Sequence, residues 1–215
     1  MAYAIRAFLL TGLLTVSGCG HNQSEAAAAA SEPSPSAPDW RAVATSHDRD
    51  RLRHWRDAWM QALVQARAAD PKAIADQSDL FAPDRALVQP LPPPGDYRCR
   101  TYKLGATSAG LNGFVSYPAY PCRIAKEGNV LSLTRYGGSQ RPVGLIFNDL
   151  PTRAVFLGTL MLGQENQALD YGRDQYRDMA GFVERIGDSR WRLALPYPAT
   201  ESKLDIIEIT PASPS

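Results

Sequence analysis

From Gly95 onward the apolar residues recur at every second position, in short runs separated by Gly, Asn, Asp and Pro. Successive side chains of a strand point to opposite faces, so a two-residue period means strands with one face buried. The candidate runs are Tyr97 to Leu104, Phe114 to Tyr117, Tyr120 to Lys126, Val130 to Arg135, Pro142 to Phe147, Ala154 to Leu162, Met179 to Ile186, Arg190 to Pro196 and Leu204 to Ile209. One run shows the logic plainly: Trp191, Leu193 and Leu195 alternate with Arg190, Arg192 and Ala194, which gives that strand an inside and an outside. Gly128-Asn129 and Gly187-Asp188-Ser189 are turn sequences that join neighbouring runs as hairpins. An antiparallel meander of about eight strands with short links predicts an up-and-down β-barrel, with a sandwich as the alternative.

The residues before this domain follow another period. Between Trp40 and Ala69, Leu52, Trp55, Trp59, Leu63 and Ala66 fall on one helical stripe, which must pack against something. Thr45 followed by Asp48 predicts a cap at the start, and Asp70-Pro71 predicts a stop. A second short helix is expected from Lys72 to Gln77. Phe81 to Pro94, with its many prolines, reads as an extended connection wrapping the next unit. The fold class is therefore mainly β with an N-terminal helix.

At the N-terminus, Arg6 precedes the apolar stretch Ala7 to Val16, which is too short to span a bilayer, and Ser17-Gly18-Cys19 follow. This resembles the lipobox of bacterial lipoproteins. The resemblance implies that residues 1–18 are a signal peptide that is removed, and that Cys19 is lipidated and then acylated at its new amino terminus. Several acyl chains hold far better than one, at about 0.8 kcal/mol per buried methylene. Residues 19–39, dominated by Ala, Ser and Pro, have no large apolar residue before Pro38 and read as a flexible tether. The expected organisation is then leader (1–18), tether (19–39), helical segment with its Pro-rich connection (40–94) and β-domain (95–211).

The chain carries 23 basic and 22 acidic residues, and Arg6 is the leader's one charge, so its removal leaves 22 of each. A balanced surface offers no basic stripe for nucleic-acid phosphates. With Cys19 assigned to lipid, Cys99 and Cys122 remain as an even pair in an exported protein, for which a disulfide is the default reading. Its loop of about 24 residues would contribute roughly 3 to 4 kcal/mol on the chain-entropy model. Free thiols for redox or metal chemistry fit less well, because neither cysteine lies in a CxxC and no histidine follows either.

Catalytic readings begin with histidine, and the chain has only His21, His47 and His54, all before the β-domain. No Ser-His-Asp or Cys-His arrangement can form within that domain, and no catalytic residue, metal ligand or cofactor is assigned. Two polar stretches, Gly137-Gly138-Ser139-Gln140-Arg141 and Tyr171-Gly172-Arg173-Asp174, are expected as loops at the strand ends. Ser139, Gln140, Arg141, Tyr171 and Arg173 are the candidate ligand- or partner-binding residues, with arginines and glycine amides suited to a carboxylate or phosphate. The plainer reading is a bend at Gly137-Gly138, with arginines paired to neighbouring acids such as Asp174 and Asp178.

Pro93-Pro94-Gly95-Asp96-Tyr97-Arg98-Cys99-Arg100, Gly138-Ser139-Gln140-Arg141-Pro142-Val143-Gly144 and Glu201-Ser202-Lys203-Leu204-Asp205 together resemble the bacterial family known as domain of unknown function 4893. That resemblance implies no activity, substrate or cofactor. At the level of architecture alone there is also a likeness to small envelope barrels, lipocalin-like or protease-inhibitor-like. The expected function is a non-catalytic binding or envelope-structure module. It would be lipid-anchored at the periplasmic face of the outer membrane, with an envelope protein or small ligand as partner. The alternative is a periplasmic hydrolase using carboxylates such as Glu184 or Asp205.

Overall fold

The two-residue alternation becomes the wall of a closed barrel. The computed structural model describes residues 38–212; the leader, the lipidation at Cys19 and nearly all of the tether lie outside the described residues. Eight strands follow one another around the barrel: β1 (Gly95–Ala106), β2 (Phe114–Glu127), β3 (Val130–Arg135), β4 (Gln140–Leu150), β5 (Arg153–Leu162), β6 (Asp178–Gly187), β7 (Arg190–Pro196) and β8 (Ser202–Pro211). Each pairs antiparallel with the next, and β8 returns to β1 from Tyr97↔Pro211 to Ala106↔Ser202. Closure leaves the sandwich alternative behind and removes the sheet edges that an open meander would expose.

Nine candidate runs become eight strands because the two on either side of Pro118 are one. Between Arg100↔Ala119 and Tyr102↔Ser116, two β2 residues, Tyr117 and Pro118, face the single β1 residue Thr101, which makes a bulge. Prolines are admissible here because β2 pairs with β3 only from Cys122 onward, so Pro118 and Pro121 face no β3 partner. Arg98 and Arg100 donate from their guanidinium groups to the carbonyls of Ala119 and Tyr117, at 2.8 and 3.0 Å, along this stretch.

Inside the barrel, Tyr97, Cys99, Ile124, Leu133, Ile146, Phe156, Val183, Trp191, Leu193 and Ile209 form one core. Cys99 and Cys122 are bridged within it, with Cα atoms 5.8 Å apart. Gly144 and Gly158 face each other across β4 and β5, where a Cβ on either would strike the other strand's backbone and the ring of Phe156. The absence of side chains here lets Phe156 fill the interior.

The helical residues cover the outer wall. The stripe from Leu52 to Ala66 is divided into α2 (Ser46–Arg53) and α3 (Trp55–Ala69), after the short α1 (Trp40–Val43). The break at His54 lets the chain follow a curved surface that a straight rod would leave. Leu52 packs with Phe147, Val155 and Phe182, whereas Trp59, Leu63 and Ala66 pack with Tyr102, Leu104, Leu204 and Ile206. Thr45 caps α2 by accepting from the Asp48 N–H at 3.1 Å. Asp70 ends α3 and caps α4 (Pro71–Asp76), accepting from the Ala73 N–H at 2.9 Å, and α5 (Ser78–Phe81) follows.

The outer face of β7 is polar in sequence yet buried. Arg192 is fully enclosed, with its guanidinium 4.6 Å above the Trp59 ring. It donates to the carbonyls of Asp79, Leu80, Ala82 and Arg85 and pairs with Glu184 at 2.7 Å. Arg153 takes the other Glu184 oxygen at 2.6 Å and lies over Trp55 and Phe182. This ion cluster fastens the chain after α5 to the barrel.

Candidate functional site

The two ends of the barrel are built differently. At one end the links are the two-residue turns Gly128-Asn129, Pro151-Thr152 and Asp188-Ser189. The Pro-rich connection crosses this end, with the Leu87 and Gln89 N–H groups donating to the Arg185 and Pro151 carbonyls and Leu91 packed on the inner core. At the other end the links are residues 107–113, 136–139, 163–177 and 197–201. Between these longer loops lies a cavity of about 190 Å³.

The cavity is lined by inward-facing residues near the strand ends. β1 contributes Thr101 and Lys103, β2 Tyr117 and Tyr120, β3 Arg135, and β8 Asp205 and Ile207, while Leu160, Met179 and Leu195 supply an apolar wall. Lys103 pairs with Asp205 at 3.0 Å and Glu201 at 3.3 Å, and Asp205 also accepts from the Ser202 hydroxyl. The two carboxylates hold the Lys103 ammonium above its ordinary range, against burial. On the β3 side, Arg135 donates to Thr101 Oγ1 at 2.6 Å and to the Gly137 carbonyl at 3.3 Å, and its guanidinium lies 5.1 Å from the Tyr120 ring centroid. Burial pushes this guanidinium below its usual range. Gly137 and Gly138 both adopt positive φ, and a Cβ on Gly138 would come within 2.7 Å of Arg135 Nη2. The glycine pair therefore makes room for the arginine.

Two loops around the mouth are held by α2. Arg51 pairs with the fully buried Asp48 and donates to the carbonyls of Tyr197, at 3.1 Å, and Asp178, at 2.9 Å. In the same loop as Tyr197, which has φ 45°, Glu201 has φ 70°. Side chains rarely adopt this region, and such strain persists where surrounding contacts enforce it.

A family model described as Domain of unknown function (DUF4893) matches residues 40–209. The chain belongs to this family. No curated protein and no solved structure matches it. The match runs from α1 through the helices and seven strands into β8, so it covers the helical residues together with the barrel.

Of the residues singled out in the sequence, Ser139 and Gln140 line the cavity. Arg141 turns away and donates to the Gly163 and Glu165 carbonyls, both at 2.5 Å. Arg173 is exposed in the loop 163–177. Arg177, which also lines the cavity, pairs with Glu165 at 2.6 Å and Asp174 at 3.7 Å. Tyr171 packs against α2, donating to Asp48 Oδ2 at 2.5 Å and accepting from the Thr45 N–H at 3.1 Å. Burial and Asp48 push its hydroxyl well above the ordinary range. A raised folded-state value stabilises the fold fully below the unfolded value of about 10, and that stability is lost as pH rises above it. Tyr171→Phe should lower stability by about 1–2 kcal/mol at neutral pH and flatten its decline above pH ~10, as read by urea unfolding across that range. An unchanged alkaline slope would remove Tyr171 as its source.

Arg135 and Lys103 were missed, and Asp205 was considered only as a hydrolytic acid, because charge within a strand reads as solvent-facing. Parity would have found them: Thr101 and Lys103 share the inward face of Tyr97 and Cys99, Arg135 that of Leu131 and Leu133, and Asp205 that of Ile207 and Ile209. Glu184 and Asp205 lie on opposite faces of the wall, and both oxygens of Glu184 are taken by arginines. They cannot converge on one bond as paired hydrolytic carboxylates must. Among the described residues there is also no cluster of three His, Cys, Asp or Glu side chains fit to hold a metal ion.

Proposed function

We propose that this protein is lipid-anchored in the bacterial envelope, at the periplasmic face of the outer membrane, and that its DUF4893 domain is a non-catalytic module binding a small ligand in the open end of the barrel. The observation that carries the binding reading is the contrast between the ends. One is sealed by tight turns and Leu91; the other holds a cavity of about 190 Å³ with charged groups set into its wall. Pockets for drug-sized molecules run to ~300–1,000 Å³, so this one suits something smaller. Supporting the anchor is the lipobox-like run ending in Cys19. Labelled palmitate should enter the protein and be lost in Cys19→Ala, which should also free it from membranes.

The cavity reading is tested with the full chain and a library of small polar and amphipathic compounds, scored by ligand-observed NMR. Leu195→Trp, which places an indole in the cavity, should abolish binding of the hits while the unfolding transition remains cooperative. Hits that bind this variant as they bind the wild type would place the binding site elsewhere.

A further inference from the structure

We propose that the ligand of the barrel mouth carries a single carboxylate, seated on Arg135, on a short apolar body. This rests on the cavity being the binding site. Buried cations in this fold come with acids: Lys103 has Asp205 and Glu201, Arg51 has Asp48, and Arg192 has Glu184. Arg135 is different. It is 7 % exposed and bonded only to Thr101 Oγ1 and the Gly137 carbonyl; no carboxylate among the described residues pairs with it, and another cation, Arg141, acts against it. Its Nη2 has no hydrogen-bond partner among the described residues. A desolvated guanidinium gains most from an anion that meets its planar fork.

The rest of the wall narrows the class. One guanidinium balances one negative charge: Asp205 and Glu201 already outnumber Lys103, and the other cations of the lining, Arg51 and Arg177, are taken by Asp48 and by Glu165 and Asp174. A phosphate monoester, at about −1.5 to −2, brings more charge than the site can neutralise, whereas a monocarboxylate matches it. Across β5 to β8 the lining turns apolar at Leu160, Met179, Leu195 and Ile207, which fits a few carbons of chain or a small ring. Thr101 and the Tyr120 ring already hold the guanidinium in place, so little side-chain freedom is lost when the anion arrives.

Calorimetric titration of the full chain with hexanoate, its neutral isostere hexanamide and inorganic phosphate tests this. The expected result is that hexanoate binds at least about tenfold tighter than hexanamide and that phosphate does not compete, as for a charge-assisted bond inside a protein. Arg135→Gln should bring the two affinities within about twofold, and Arg67→Gln, an exposed cation on α3, should leave them unchanged. If Arg135→Gln fails to fold, Arg135→Lys replaces it, with hexanoate weakened at least about threefold and hexanamide unaffected. No hexanoate binding, equal affinities, competition by phosphate, or discrimination that survives at position 135 would each overturn the carboxylate assignment. Its failure is distinct from failure of the cavity reading. Hexanamide bound as well as hexanoate, with both lost in Leu195→Trp, leaves the cavity standing and removes only the anion.

Discussion

Arg192→Ala should destabilise the domain by about 3–5 kcal/mol, because it strips one of two arginine partners from a buried carboxylate and takes a donor from four backbone carbonyls at once. For a chain of this size that is a fall of roughly 6–20 °C in melting temperature. Arg192→Lys should recover little, since an ammonium cannot span Glu184 and the carbonyls of Asp79 through Arg85 in one plane. Denaturant titration at pH 7 checks both. A loss below about 1 kcal/mol for the alanine variant would mean that the chain after α5 holds without its ionic fastening.

Removing the disulfide should have the next largest effect. Cys99 and Cys122 are 23 residues apart in sequence and both buried in the inner core, on strands that pair directly. Closing that loop restricts the unfolded chain by about 3 kcal/mol, and Cys99→Ala with Cys122→Ala should forfeit that together with some core packing. Reductant should move the wild type toward the double variant and leave the variant unmoved. A reductant-insensitive wild type, with the bridge verified by intact mass, would assign the stability to packing alone.

The barrel was legible because its inner face obeys one rule for eight strands: apolar residues at alternate positions, with turn residues between. The rule broke where backbone geometry broke, at the Pro118 bulge, which divides one strand into two apparent ones. It also assumed that the outer face meets water. On β7, Arg192 occupies an outward position as expected, yet the helices cover it completely. Covering depends on residues more than a hundred positions away, such as Asp79 through Arg85, and no local pattern records that. The site was half legible for the same reason. Ser139 and Gln140 stood out beside a glycine pair, while Arg135, a few residues earlier, was hidden inside a strand. Gly138 was read as part of a bend and as a source of backbone amides, but its importance lies in the space it leaves for that arginine's Nη2.

The described chain enters the domain beside the sealed end. The indole N–H of Trp40 donates to Asp149 at 2.9 Å, and Arg41 pairs with the same carboxylate at 3.0 Å, one residue before β4 ends at Leu150. β1 begins and β8 finishes at that end as well, with Tyr97 opposite Pro211. The point where the described chain enters and the mouth of the cavity thus lie at opposite ends of this barrel. A pull transmitted through Trp40 loads the tight-turn end and the Pro-rich seal, and leaves the loops around the doorway, through which a ligand would pass, out of the line of force.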